Sequence, residues 1–584
     1  GVSGAAAKAT ADAHTFGIDA GHGANTVTNS GVVTANSSAN AGAAGISVAV
    51  TGAAAASAQS VSNSTATAIA TGEDATDDTV TNDGDLNAFS NSNAISASVS
   101  VTNSGLAGSV GAVWDGGTRS DSQARGIDVG AGASGDTVTN TGDMDVDAIS
   151  ATGAASVSVA VSGVGISVAT STGTSEATAI DANEGDDADT ITNSGNLDIN
   201  SDAFAATVGV AVTSGGVAIA TDSVWDGGTK GDARGRGIDT GEGADTVTNT
   251  GDIDVLTLSG TGSLQVAVPA GGGVGIAVAT ATSDADAAAI DTGDDDDIIT
   301  NEGDIDVDAN AVAASAAVSF TLAGVSGAGG TPWDGGTTAN ALGQGIAAGE
   351  GNDTVTSDGT VDVDALASAS NVAIAIAIEG AAGAITAAKT TATSAGIDTA
   401  GGDDTVTTTG IIDSHSFANT NTASVAASKF GLSIAANDLW NGGTTGTANS
   451  AGINTGAGVD TITNDAAIRS TSLVVTPNVT MGVTVGGVAG AISTATANAD
   501  SAAIDSGADS DIITNTGNLT AGAEANAASF NIAVAGIGGA LASDSVWDGG
   551  TTSNATSDAI TAGEGDDVIT SAADHTLTST ATSN

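Results

Sequence analysis

Five tryptophans, Trp114, Trp225, Trp333, Trp440 and Trp547, each head the same phrase of Asp or Asn, two glycines and a threonine. Each stands thirteen residues before an isoleucine that opens a second recurring phrase. A row of indoles at fixed spacing can bind a glycan or a partner subunit, or it can cover the end of an aliphatic core. The Asp-Gly-Gly turn favours the second, structural use. The basic residues Arg119, Arg125, Lys230, Arg234 and Arg236 follow the first two tryptophans, and the last three such loops carry none. They either pair with nearby aspartates or make a contact point for the acidic body of a neighbouring molecule. Other chemistry is missing. The four histidines (His14, His22, His415, His575) are scattered, there is no cysteine, and neither HExxH nor a phosphate-binding glycine loop with lysine occurs. A polysaccharide-active enzyme needs paired carboxylates with Arg or Lys breaking the repeat. The sequence shows no such cluster, so the expectation is a protein that is not an enzyme.

The bulk composition points the same way. The chain has 584 residues, 84 glycines, 3 prolines and 2% aromatic residues. Its apolar residues, 40% of the total, are mostly Ala, Val and Ile, which argues against disorder. Such a core is thin and suits a solenoid better than a globule. The net charge is −59, from 68 acids against 9 bases. That surface repels nucleic acid and anionic membranes, and it repels itself unless salt or bound cations intervene. No apolar stretch is long enough for membrane insertion. The chain starts at Gly1 rather than Met, which suggests processing or excision from something longer.

Self-similarity decides the fold class. The phrase "GIDxGxGxDTVTNxGDIDV" recurs eleven times, led by Ile18, Ile69, Ile127, Ile180, Ile238, Ile290, Ile346, Ile397, Ile453, Ile504 and Ile560. The spacings alternate between 51–53 and 56–58 residues, so units of about 54 pair into superrepeats of about 107–111. Within a unit, "ASVSVAVSGVGISVAT" (Ala155 to Thr170) alternates with period two and pivots on Gly163 and Gly165. The expected fold is all-β: an elongated parallel β-solenoid (β-helix), with 1–17 a partial N-terminal unit and 18–584 one continuous repeat domain. Fifty residues read as two rungs, which gives a rod on the order of 100 Å long. Val and Ile are expected to stack into a continuous dry core.

"GIDTGEGADTVTNTGDIDV" resembles the repeats of secreted bacterial β-helix proteins, in particular autotransporter-like passengers and adhesins. Its "GEGADTV" and "GEGNDTV" cores also resemble the calcium-binding nonapeptide of RTX proteins, GGxGxDxUx. This second resemblance implies Ca2+ ligated by Asp136, Asp189, Asp245, Asp297, Asp353, Asp404, Asp460, Asp511 and Asp567 from stacked turns, with Asn25 in the first unit. Asp128, Asp239, Asp291, Asp398 and Asp505 could add to the same edge. The alternative is that Asp serves its own turn by bonding the backbone two residues on.

Together these readings imply an extracellular or cell-surface structural protein, a fibre subunit or adhesin stalk assembling head to tail with copies of itself or with other surface components. Calcium is expected to stiffen it. The alternative is a secreted binding module, either an adhesin passenger for a glycan or surface, or an ice-binding threonine ladder built from the "TVT" phrases, which recur once per unit and become "TIT", "IIT" or "TTT" in places, so that the array is expected to be sparse.

Overall fold

A computed structural model describes residues 1–584 apart from 73–76, 111–116, 131–134, 183–187, 223–227, 331–335, 438–442 and 545–549. All five tryptophans, expected at a corner of the coil, lie outside the described residues.

Each unit folds as one coil, of three strands in most rungs. In the third coil these are Thr137–Asn140, the 25-residue Met144–Val168 and the 11-residue Ser171–Asp181. The next coil lies directly on top in parallel register: Thr137 pairs with Thr190, Met144 with Leu197, and Ile127 with Ile180. One unit is therefore one rung, not two. Two turns of short strands and one turn of long strands give the same spacing, and the 25-residue strand makes it one. Eleven rungs stack to about 50 Å, half the length expected from the sequence. The longer and shorter units differ in one connection. Residues 111–117 join Val110 to Thr118 in one coil, whereas only 169–170 join Val168 to Ser171 in the next. The superrepeat is thus a difference in the number of residues between these two strands, and the strand pairings on either side of it are kept.

The fold is a parallel β-solenoid. The four-residue strands form an 11-stranded sheet, and the long and short strands form a 23-stranded sheet. Two cores fill the coil. Where the short strand and the four-residue strand close on the start of the long one, Ile238, Val247, Ile253 and Val255 and their equivalents stack into a continuous aliphatic core. This is the dry core expected of Val and Ile.

Farther along the long strand the arrangement inverts. The chain bends at Gly163 (φ 126°) and returns antiparallel to its own outgoing half, forming a flat lobe. A separate core of alanines fills part of this lobe, among them Ala211, Ala218, Ala267 and Ala277. In other rungs buried serines replace them, with Ser167 donating to the Ser156 carbonyl at 2.6 Å and Ser158 to the Ala107 carbonyl at 2.6 Å. Residues this small let two strands approach closely enough for a side chain to reach the facing backbone. The Val and Ile that alternate with them therefore point outward, contrary to the sequence-based expectation for this half of the unit. The bend admits only glycine. A Cβ on Gly216 (φ 129°) would meet the Gly163 carbonyl oxygen at 1.9 Å.

Candidate interaction surfaces

The expected calcium ligands stack, as the resemblance requires, but they face inward. Each of Asn25, Asp78, Asp136, Asp189, Asp245, Asp297, Asp353, Asp404, Asp460 and Asp511 donates its backbone N–H to Oδ1 of the aspartate one rung on, at 2.6–3.0 Å. Asp78 belongs to this ladder although its phrase, "GEDATDD", hides it among irregular acids. The second carboxylate oxygen accepts from a hydroxyl in several rungs: Thr399 to Asp404 at 2.5 Å, Thr455 to Asp460 at 2.6 Å, Ser506 to Asp511 at 2.6 Å. Burial then pushes the carboxyls up: Asp297 to about 8, Asp353 to about 7 and Asp460 to about 6, with Asp404 also raised. Carboxyls turned inward, with one oxygen bonded to backbone and in several rungs the other to a hydroxyl, leave few free oxygens for calcium, which takes six to eight. Their role in the fold is to fix one backbone N–H per rung. At the isoleucine–aspartate position, Asp128 and Asp505 each accept from the backbone N–H two residues on, at 3.2 and 3.1 Å, which is the local turn use of Asp.

Beside this ladder runs an asparagine ladder. Asn140 Nδ2 donates to Asn193 Oδ1 at 2.7 Å and to the Gly142 carbonyl at 2.8 Å, and the pattern continues from Asn29 to Asn301. Ser357 and Thr408 interrupt it before Asn464 and Asn515 resume.

Two of the basic residues are committed within the coil. Arg125 reaches Asp128 at 3.0 Å and Asp181, one rung on, at 2.7 Å. Arg236 is 5% exposed and reaches Asp286 at 2.8 Å and Asp291 at 2.9 Å, both one rung on. Local pairing thus accounts for these two arginines. Arg119 pairs with Asp121 on the surface, Arg234 lies 3.7 Å from Asp239, and Lys230 is exposed.

Three faces remain for contact with other molecules. The first is the four-residue-strand sheet, whose outward side carries two columns. Thr28, Thr81, Thr139 and their equivalents fill one column on all eleven rungs, and threonine fills the other except at Ile298, Ile512 and Val568. Two rungs per unit would leave every second position of this array empty; with one rung per unit, the array is continuous.

The second face is acidic. Asp145, Asp198, Asp254, Asp306, Asp362 and Asp413 occupy one outward register position on six successive rungs, and Arg469 ends the column. Burial by their neighbours, then mutual repulsion, raises the carboxyls of Asp145, Asp254, Asp306 and Asp362. Next to the column lies a groove of about 590 Å3 lined by Asp308, Asp364, His415, Phe417, Arg469 and Leu473. His415 thus sits beside acids that are far from it in the sequence. Among the described residues, Asp362, Asp364 and His415 bring ligand atoms within 4.8 Å of one another. Three donors fall well short of a calcium shell.

The third face is the outer side of the lobe. Four adjacent outward positions of the long strand are aliphatic in most rungs: Ala155, Val157, Val159 and Val161 in the third, Val372, Ile374, Ile376 and Ile378 in the seventh. Ile46, Val48 and Val50 are 62–75% exposed, and Val161 is 48% exposed.

No protein-family model, no curated protein and no solved structure matches the chain. Among the described residues no helix is long and apolar enough to cross a membrane.

Proposed function

We propose that the chain is a non-enzymatic structural protein, a β-solenoid segment of an extracellular fibre or adhesin stalk whose copies stack along the coil axis. The carrying observation is that each rung presents the next with the same set of bonds: a parallel backbone edge, an Asp oxygen, and in most rungs an Asn amide. A coil of this kind is extended equally well by another coil of the same chain or by a second copy. Other cell-surface components are the alternative partners. In this proposal calcium acts as a counter-ion to the exposed acidic columns rather than as a ligand of the inward ladder. Sedimentation velocity over a range of concentrations, with calcium and with chelator, tests the reading. Species that lengthen with concentration support it, and a single unchanging species argues against it.

The threonine face favours a second reading, an ice-binding module. Two near-unbroken columns at about 4.8 Å spacing form a regular hydroxyl and methyl array. An ice-recrystallisation assay on the chain and on a Thr139→Lys, Thr248→Lys double variant decides it. Inhibition by the first and not the second supports this reading, and no inhibition by either removes it.

A further inference from the structure

We propose that the outer aliphatic face of the lobe is a pairing surface for a second copy of this chain, laid side by side with its coil axis parallel. This goes beyond axial stacking and does not depend on it.

Charge is the first argument. Across ten rungs, the lobe segments from Asn40–Ser57 in the first to Asn526–Ser543 in the tenth carry only Glu379 and Lys429 as charged residues. The rest of the chain holds a net charge near −59. Only Lys429, in the fourth column, puts a charge among the four columns, so the face can be covered at little cost in desolvated charge. Area is the second. Four columns over ten rungs span about 1,000 Å2 by strand geometry, against about 800 Å2 per partner in a standard interface. Monomeric proteins rarely leave apolar patches of more than a few hundred Å2 in water. Period is the third. Side-chain ridges here repeat at the rung spacing along the axis and at the pleat spacing along the strand. A second copy carries both spacings, so the two faces interdigitate as the inner faces of a β-sandwich do.

The acidic column selects the geometry. Asp306 and Asp308 lie on the same side of the same strand as Val318 and Phe320, roughly 33–46 Å away along it. A two-fold axis along the strands would set acid on acid. A two-fold axis parallel to the coil axis instead overlaps the lobes and sends the two acidic columns to opposite edges. They are then separated by far more than the Debye length of about 8 Å. The pair is isologous, so the first aliphatic column of each copy meets the fourth of the other, and the second meets the third.

The test is electron microscopy and sedimentation of the full chain beside a Val159→Lys, Val210→Lys, Val266→Lys triple variant. All three side chains point outward on neighbouring rungs, so circular dichroism and melting temperature of the variant report whether the coil itself is intact. The expected result is doublets of double width for the native chain and single coils for a folded variant. Should the variant not fold, Val161→Lys alone, at the exposed edge of the face, is expected to weaken pairing at least tenfold. Native chain that stays single-width at every concentration overturns the proposal, as do doublets that survive the substitutions. Native chain that binds neutral lipid vesicles without forming doublets overturns it too and assigns the face to lipid instead. Lengthwise growth is read separately, so loss of axial stacking and loss of lateral pairing give different images.

Discussion

The backbone N–H of Asp245 donates to Oδ1 of Asp297, one rung on, at 2.7 Å, and Asp297 is 1% exposed. The bond needs an oxygen there, not a charge. Asp297→Asn keeps the acceptor and is expected to match or exceed the native stability at pH 8, measured by chemical denaturation. Asp297→Ala leaves the Asp245 N–H unpaired in the core and is expected to cost about 1–3 kcal/mol. Equal losses in both variants would show that the charge itself matters.

The same burial sets a pH dependence. Asp297, Asp353 and Asp460 bind protons more tightly folded than unfolded, so folding takes up protons. Their contribution is fully present below the ordinary carboxylate value near 4 and is lost as pH rises through about 6 to 8. The melting temperature is expected to fall from pH 5 to pH 9, with a shallower slope in Asp297→Asn. Because calcium fits the inward ladder poorly, chelator is not expected to change that slope at constant ionic strength.

One rung departs from the repeat at two buried points, and both can be repaired. Asp353 has Ala348 where Asp404 has Thr399, and its Oδ2 has no partner. Ser357 stands in the asparagine ladder with its hydroxyl unpaired. Ala348→Thr and Ser357→Asn are each expected to stabilise by about 1 kcal/mol, read as a rise in denaturation midpoint. Loss of stability from Ser357→Asn would mean that the ladder has no room there.

The lobe hangs on its glycine bend. Gly216→Ala puts a Cβ against the Gly163 carbonyl at 1.9 Å in a conformation that L side chains rarely adopt. The expected result is a loss of about 1–3 kcal/mol, with faster amide exchange confined to the lobe strands of neighbouring rungs. Uniform exchange throughout the coil would show that lobe and body unfold as one unit.

Much of this is legible in the sequence, and the failures share one cause. The phrase spacing reveals eleven units and their pairing, and the Gly163 pivot falls where the chain bends. Strand alternation names two faces without saying which is inside. In "SVSVAV" the serines are buried and the valines are not, because facing strands packed this closely admit only small side chains. Spacing likewise fixes the length of a unit but not how many turns it makes, and that hides the continuity of the threonine columns. The nonapeptide pattern locates the aspartates; whether they point at solvent or at a backbone N–H depends on the neighbouring rung, which the local sequence does not contain.

The most direct measurement is cryo-electron microscopy of the purified full chain over a range of concentrations, in calcium and in chelator. The expected result is filaments that lengthen with concentration, built of coils about 50 Å tall with one rung per unit. Isolated coils of a single chain's height at every concentration, in either condition, would contradict it.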